Sequence, residues 1–580
     1  MKRTISIMLA AIMLLSLCQT AMAASDTEFT WIIDKGEESI FYEDYAMGPV
    51  QQWWMNQEWD ADGDGAGKPI KMDFMVLPTG NEQDTLTTLI STDQYGDLMS
   101  MNYCAYNAAS LYEDGKILDI TEYVENYMPN YMAWLDLHPE YKNRVTITNE
   151  DGERIYVMLY QLCDIQEPAW EGWCYRRDWL VKYGTNPTTG EAFTGGYSED
   201  RTDWTDDVVF PSGGSDPIYI SDWEWMLDIF QKALSGEGIS DGYAIQMYYT
   251  GFMGSGDLTS GFGGGSGFVN LDRDGKAYFS GTSENFRTYL QCLNTWFEKG
   301  YVDPAFQERS SDVMFFLIDS ASVYSGKVGM WIGMQSQLGA QMDFMGSGMC
   351  VFGAAQPIND AYGGEEQKGK APDAFYSNPI VGTGSVVTEK AKGKDLATLF
   401  TALDYMYSFE GGLLRGYGFS NEQTEQCNNE FYEKWGFAET GTYTVSTNED
   451  GEKIYVLNPN RSKETGLDSA LAALRINGMI SNKNVDRSYT PIEQRSIDQW
   501  SLYTATGIVT PDITGQLNAD ASAQNAGIYN DVMTFMSQAV PDFITGAADI
   551  DDDGAWADYC AEAEAYNPQA YVDNINAVLE

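Results

Sequence analysis

Residues 27–101 switch hydrophobic period repeatedly, and that switching limits what this chain can fold into. Thr27–Ile33 alternates and is rich in Thr, Trp and Ile; Pro49–Trp59 has helical spacing; Ile70–Leu77 alternates again; Asn81–Thr92 repeats Leu and Ile at helical intervals; Asp97–Met101 returns to an extended pattern. A strand-helix-strand-helix-strand run of this kind argues for an α/β lobe. In open α/β sheets, ligands bind beside the loops at the carboxyl ends of the strands.

Further along, a strand is expected over Glu153–Met158, after the turn Asn149-Glu150-Asp151-Gly152. Another is expected at Trp173–Tyr175, before helical spacing from Arg177 to Tyr183. The polar stretch Ser198–Asp216 reads as loop, and Ser221 or Asp222 suits the N-cap of the helix that follows. Asn270–Tyr278 carries the hairpin signal Asp274-Gly275-Lys276, and Phe286–Lys299 is an amphipathic helix. Lys327–Ile332 reads as a buried strand of a second β/α lobe, Tyr376–Thr388 as extended chain and Leu396–Phe409 as one helix. Thr148–Tyr156 is nearly repeated at Thr447–Tyr455, but two hairpins with the same Asp-Gly turn chemistry explain the echo without a repeat architecture.

Met1-Lys2-Arg3, an apolar stretch from Ile5 to Cys18 and Ala21-Met22-Ala23 form an export leader, residues 1–23, with a mature start at Ala24. Lipidation of Cys18 is the competing reading, although Leu17 departs from the small residue usually found there. Beyond the leader no apolar run approaches the roughly 20 residues that a bilayer-spanning helix needs. With 86 acidic against 34 basic residues the formal charge is −52, which repels nucleic acid and anionic lipid. Seven scattered cysteines after Cys18 do not make a disulfide framework, and a bridge is conceivable only between Cys163 and Cys174. His138 is the single histidine, so a histidine-rich metal centre is impossible and a Ser-His-Asp enzyme would have to be built around it.

Six short segments occur in a fixed order: Gly96-Asp97-Leu98, Tyr175-Arg176-Arg177-Asp178-Trp179-Leu180, Asp274-Gly275-Lys276, Tyr301-Val302-Asp303-Pro304, Ser408-Phe409-Glu410-Gly411 and Phe543-Ile544-Thr545-Gly546. Behind an export leader this order resembles the extracellular solute-binding proteins of the family 1 type, in the lipoprotein-like group of carbohydrate binders that serve ABC importers. The resemblance touches most of the mature chain and is thin over Thr424–Ser537. It implies a type II periplasmic-binding-protein fold, with two discontinuous α/β lobes joined by a hinge. The expected lobes are 27–168 and 376–422 for the first, and 169–375 and 423–580 for the second. It also implies a monomeric, non-enzymatic extracellular receptor that binds an oligosaccharide between the lobes and passes it to permease subunits.

Sugar recognition requires flat apolar faces for pyranose rings and polar groups for their hydroxyls. Where the resembled family lines its cleft, this chain has Asn102, Tyr103, Trp170, Trp173, Arg176, Tyr248, Tyr249, Phe252, Trp331 and Gln335. Arg176 reads equally as half of a structural pair with Asp178. Asp60, Asp62 and Asp64 before Gly65 imitate the start of a calcium loop, as do two later stretches, but the twelfth positions Lys71, Gly281 and Cys560 supply no bidentate acid. The first triplet is kept as a candidate calcium site; no cofactor is required by the expected function. A secreted glycoside hydrolase or lyase using paired carboxylates is the alternative, and an adhesin or sequestering protein on the same fold is a third reading.

Overall fold

The structure, a computed structural model, describes residues 26–34, 48–78, 80–164, 169, 171–193, 208–252, 257–264, 268–272, 274–309, 318–339, 349–363, 380–420, 443–448, 450–457, 476–503 and 517–579. The expected leader and Trp170 lie outside these residues.

The opening run forms β1 (Glu28–Ile33), α1 (Pro49–Met55), β2 (Lys71–Val76), α2 (Glu82–Ser91) and β3 (Leu98–Ser100). Next come α3 (Ala108–Glu113), α4 (Thr121–Tyr127), α5 (Pro129–Leu137) and β4 (Met158–Cys163). The chain then builds β5 (Glu171–Arg176), α6 (Arg177–Tyr183), α7 (Ile220–Glu237), β6 (Tyr243–Ile245), α8 (Glu284–Glu298), β7 (Val328–Met334) and β8 (Val351–Ala354). It returns through β9 (Ile380–Val387), α9 (Leu396–Tyr405), α10 (Phe409–Tyr417) and β10 (Met479–Ile480), and ends with α11 (Pro491–Trp500), α12 (Ala519–Thr545), α13 (Asp553–Ala565) and α14 (Pro568–Leu579).

Two sheets result. The first has the order β10-β4-β9-β3-β1-β2, with β1 parallel to β2 and β3, β9 antiparallel to β3 and β4, and β10 parallel to β4. The second has the order β8-β5-β7-β6, with β7 parallel to β6 and β5 antiparallel to both β7 and β8. Both faces of each sheet are covered. Phe29, Trp31 and Ile33 enter one core, whereas Ile32 enters another with Leu86 and Met99. Trp173 and Tyr175 likewise face one core while Cys174 faces a second. Strands covered on two sides read as near-continuous apolar runs.

The two sheets mark two lobes, and the returning segment rejoins the first. The Trp54 indole donates to the Ala402 carbonyl at 2.8 Å, and Asp404 accepts from the backbone amides of Asn130 and Tyr131 at the start of α5. The chain stays with the first lobe beyond the expected change at residue 423, because Met479–Ile480 pairs with Leu162–Cys163. A two-residue strand has too short a pattern to announce itself. α11 then lies on the second sheet, where glycine is required by contact: a Cβ on Gly172 would meet the Trp500 ring at 2.5 Å. Cys163 and Cys174 are buried in different sheets and neither is in a disulfide, so the conceivable bridge between them is not formed.

Candidate functional site

Strand directions bring the functional edges together. In the first sheet β1, β2, β3, β4 and β10 point the same way, so Asp34, Leu77, Asn102, Asp164 and Asn482 follow their carboxyl ends along one edge. In the second, β6, β7 and β8 point one way and β5 the other, so Tyr248, Tyr249 and Gln335 share an edge with Glu171 at the start of β5. The chain crosses between lobes from Asp164 to Ala169, from 363 to 380 and from Ile480 to Pro491. Every crossing joins these two edges. The cleft between them is therefore the place where the fold concentrates loops and strand ends.

The crossings are tied down by polar contacts. Asp164 accepts from the backbone amides of Asn482 and Lys483 at 2.8 and 3.2 Å. On the second-lobe side Gln335 donates through Nε2 to the Ala169 carbonyl at 2.8 Å, and its Oε1 accepts from the Tyr489 hydroxyl at 3.2 Å. On the first-lobe side Asn102 donates to the buried Asp34 carboxylate at 3.2 Å. Of the six large hydrophobic side chains left exposed among the described residues, four are tyrosines: Tyr103, Tyr106, Tyr249 and Tyr529. Tyr103 and Tyr106 follow β3, and Tyr249 packs on Tyr248 with ring centres 4.5 Å apart. Burial, helped by Tyr249 and Tyr529, holds the Tyr248 hydroxyl above its ordinary pKa. Burial alone raises the carboxyl of Glu171.

Asn102, Tyr103, Tyr248, Tyr249 and Gln335 thus stand at the two facing edges, but four other expectations are corrected. Trp173 is 1% exposed and stacks edge-on against Trp223 in the core. Trp331 lies inside β7 rather than past its end, fully buried, with its indole hydrogen-bonded to Gln337. Phe252 is buried against Phe286. Arg176 is at the far end of β5 from the crossings, where it grips Asp178 at 2.6 Å, donates to the Gly326 carbonyl and covers the Trp179 ring at 4.1 Å. Asp34, Tyr106 and Glu171, which stand at the same edges, and Tyr529, which lies close enough to Tyr248 to affect its hydroxyl, were not singled out from the sequence. Asp34 and Glu171 were findable as the residues flanking strand ends; Tyr529, inside the long α12, has no local signal.

The candidate calcium loop does not fit a cation as it is placed. Asp60 turns onto the amides of Asp64 and Gly65, and Asp64 onto that of Ala66. Lys71, at the twelfth position, sets its ammonium 3.5 Å from Glu28. Among the described residues no three metal-ligating side chains converge.

No protein-family model matches the sequence, and no curated protein matches it either. Solved structures do match. An extracellular solute-binding protein from Bifidobacterium longum subsp. infantis superposes with a TM-score of 0.66 at 14% identity, covering 97% of this chain and 99% of that one. The fold is that of the two-lobed solute-binding proteins. An HMO-binding, ABC-transporter-associated solute-binding protein from Bifidobacterium longum infantis gives 0.64 at 12% identity, over 95% and 98% of the two chains. The Streptococcus pneumoniae ABC-transporter substrate-binding protein FusA, solved in complex with kestose, gives 0.60 at 15%, again over 95% and 98%. At these identities the likeness is one of fold.

Proposed function

We propose that this protein is the extracellular substrate-binding component of an ABC importer, of the family 1 type. In this reading it binds an oligosaccharide between the lobes and delivers it, uncleaved, to membrane permease subunits. The observation that carries the reading is the facing of two strand-end edges across three chain crossings, with exposed tyrosines on both. Tyr103, Tyr106, Tyr249 and Tyr529 supply stacking faces, and Asn102, Asp34, Gln335 and Glu171 supply hydrogen-bonding groups for hydroxyls. Likeness in fold to proteins described as sugar binders supports the ligand class. The Met1–Ala23 leader supports export, and Cys18 offers a lipid anchor as an alternative to free secretion. No helix among the described residues is long and apolar enough to cross a membrane.

A thermal-shift screen of the mature protein against neutral and acidic oligosaccharides, with product analysis of each positive, tests this. A ligand that binds only the folded form raises the melting temperature; a saturable shift with intact sugar is the expected result. New reducing ends would replace this reading with the hydrolase, and silence across the panel would remove the sugar.

A further inference from the structure

Resting on that reading, we propose that Glu171 sets the charge class of the ligand: it accepts hydrogen bonds from the hydroxyls of a neutral oligosaccharide and turns away sugars that carry carboxylates. Glu171 opens β5 two residues after Ala169, in register with Met334 of β7, and so stands where the chain enters the second lobe. Alternation along the strand places its side chain on the face of Trp173, one step beyond that ring, at the open end of the core. Gln335, next after the Met334 that pairs with Glu171, donates to the Ala169 carbonyl, and the Tyr248–Tyr249 pair follows β6 on the same edge of the sheet.

The carboxylate is half-buried and makes neither a hydrogen bond nor an ion pair with any described residue. Burial pushes its pKa up, and among the described residues no cation forms an ion pair with it. The guanidinium groups of this lobe that flank the sheet have partners of their own: Arg176 is held by Asp178, and Arg309 lies 2.7 Å from Asp303 and 3.7 Å from Asp319. On the crossing, Arg487 is engaged by Tyr417 and Asn482. A partly desolvated acceptor without a donor is costly, and adjacent sugar hydroxyls are donors of the right kind. A uronate would instead set like charge against Glu171, with Asp34 and Asp164 on the facing edge. A single group of this kind discriminates by leaving a buried charge unpaired or repelled when the wrong ligand enters.

The test is calorimetric titration of the wild type and Glu171→Gln with neutral gluco-, manno- and fructo-oligosaccharides and with oligogalacturonates of matching length. Charged hydrogen bonds have magnitudes that convert to a loss of roughly 10- to 100-fold in affinity for the neutral sugar on Glu171→Gln. The ratio of neutral to acidic affinity narrows, while the ligand-free melting temperature holds or rises because an unmet charge is gone. Wild-type preference for oligogalacturonates, or a Glu171→Gln protein with unchanged neutral affinity, overturns the assignment and leaves the binding reading intact. Absence of any saccharide binding by the wild type sinks the reading on which it rests.

Discussion

Tyr103 and Tyr249 stand 45% and 38% exposed at strand ends, whereas Trp173 and Trp331 are 1% and 0% exposed within strands. The same aromatic chemistry therefore has opposite consequences on substitution. Tyr249→Ala removes a stacking face but little packing, so its denaturation midpoint should stay near wild type, within about 0.5 kcal/mol, while calorimetry shows weaker sugar binding. Trp173→Ala opens a cavity against Trp223 and should cost about 3–5 kcal/mol in chemical denaturation. Asp178→Ala strands the buried Arg176 and should cost a similar ~3–5 kcal/mol, with ligand affinity of the folded fraction unchanged; a selective loss of affinity would return the pair to the site. The strand-end placement of Tyr103, Tyr249 and Gln335 was legible because each follows a recognisable strand. It misled at Trp331 because a strand covered on both faces shows no alternation by which to locate its end.

Among elements, those whose turn chemistry is local were legible. Asn149 and Asn448 each accept from two amides ahead of a glycine with φ of +80° and +82°, so the two echoing hairpins close identically. The helix expected over 396–409 is instead two, because the Ser408 hydroxyl caps the Gly411 amide and the chain turns tightly enough that a Cβ on Gly411 would meet the Tyr405 carbonyl. Similarly, Asp222 accepts from the Ile218 and Tyr219 amides as the third residue into α7, rather than standing at its cap. In the loop of Asp60, Asp62 and Asp64, the carboxylates of Asp60 and Asp64 accept from backbone amides of the loop itself. Exhaustive chelation followed by thermal melting should leave the transition unmoved, and calcium addition should not raise it. A calcium-dependent rise of several degrees would show that the loop rearranges around the ion.

At the scale of the whole molecule, the discontinuity of the lobes was legible only in outline, since three crossings between two sheets leave no compositional mark and β10 contributes a mere two residues. One contact away from the crossings bears on how the lobes close. Asn107 caps α3 by accepting from the Ser110 amide at 2.8 Å, and its Nδ2 donates to the Leu517 carbonyl, also at 2.8 Å. Leu517 packs with Leu271, Ala277 and Val572 of the second lobe, so this bond spans the two bodies beside the exposed Tyr106. Two-lobed receptors close by hinge motion, and any bond made only in the closed form shifts that equilibrium by its own free energy. Asn107→Asp separates the two roles, because aspartate caps as well as asparagine but has no donor for Leu517. The helix should therefore persist, with ligand-free stability within about 1 kcal/mol of wild type. X-ray scattering should show a more open ligand-free particle, and sugar affinity should fall by roughly two- to tenfold, the range expected for one neutral hydrogen bond. An unchanged radius of gyration together with unchanged affinity would reduce the Asn107–Leu517 contact to a passive touch between lobes that close for other reasons.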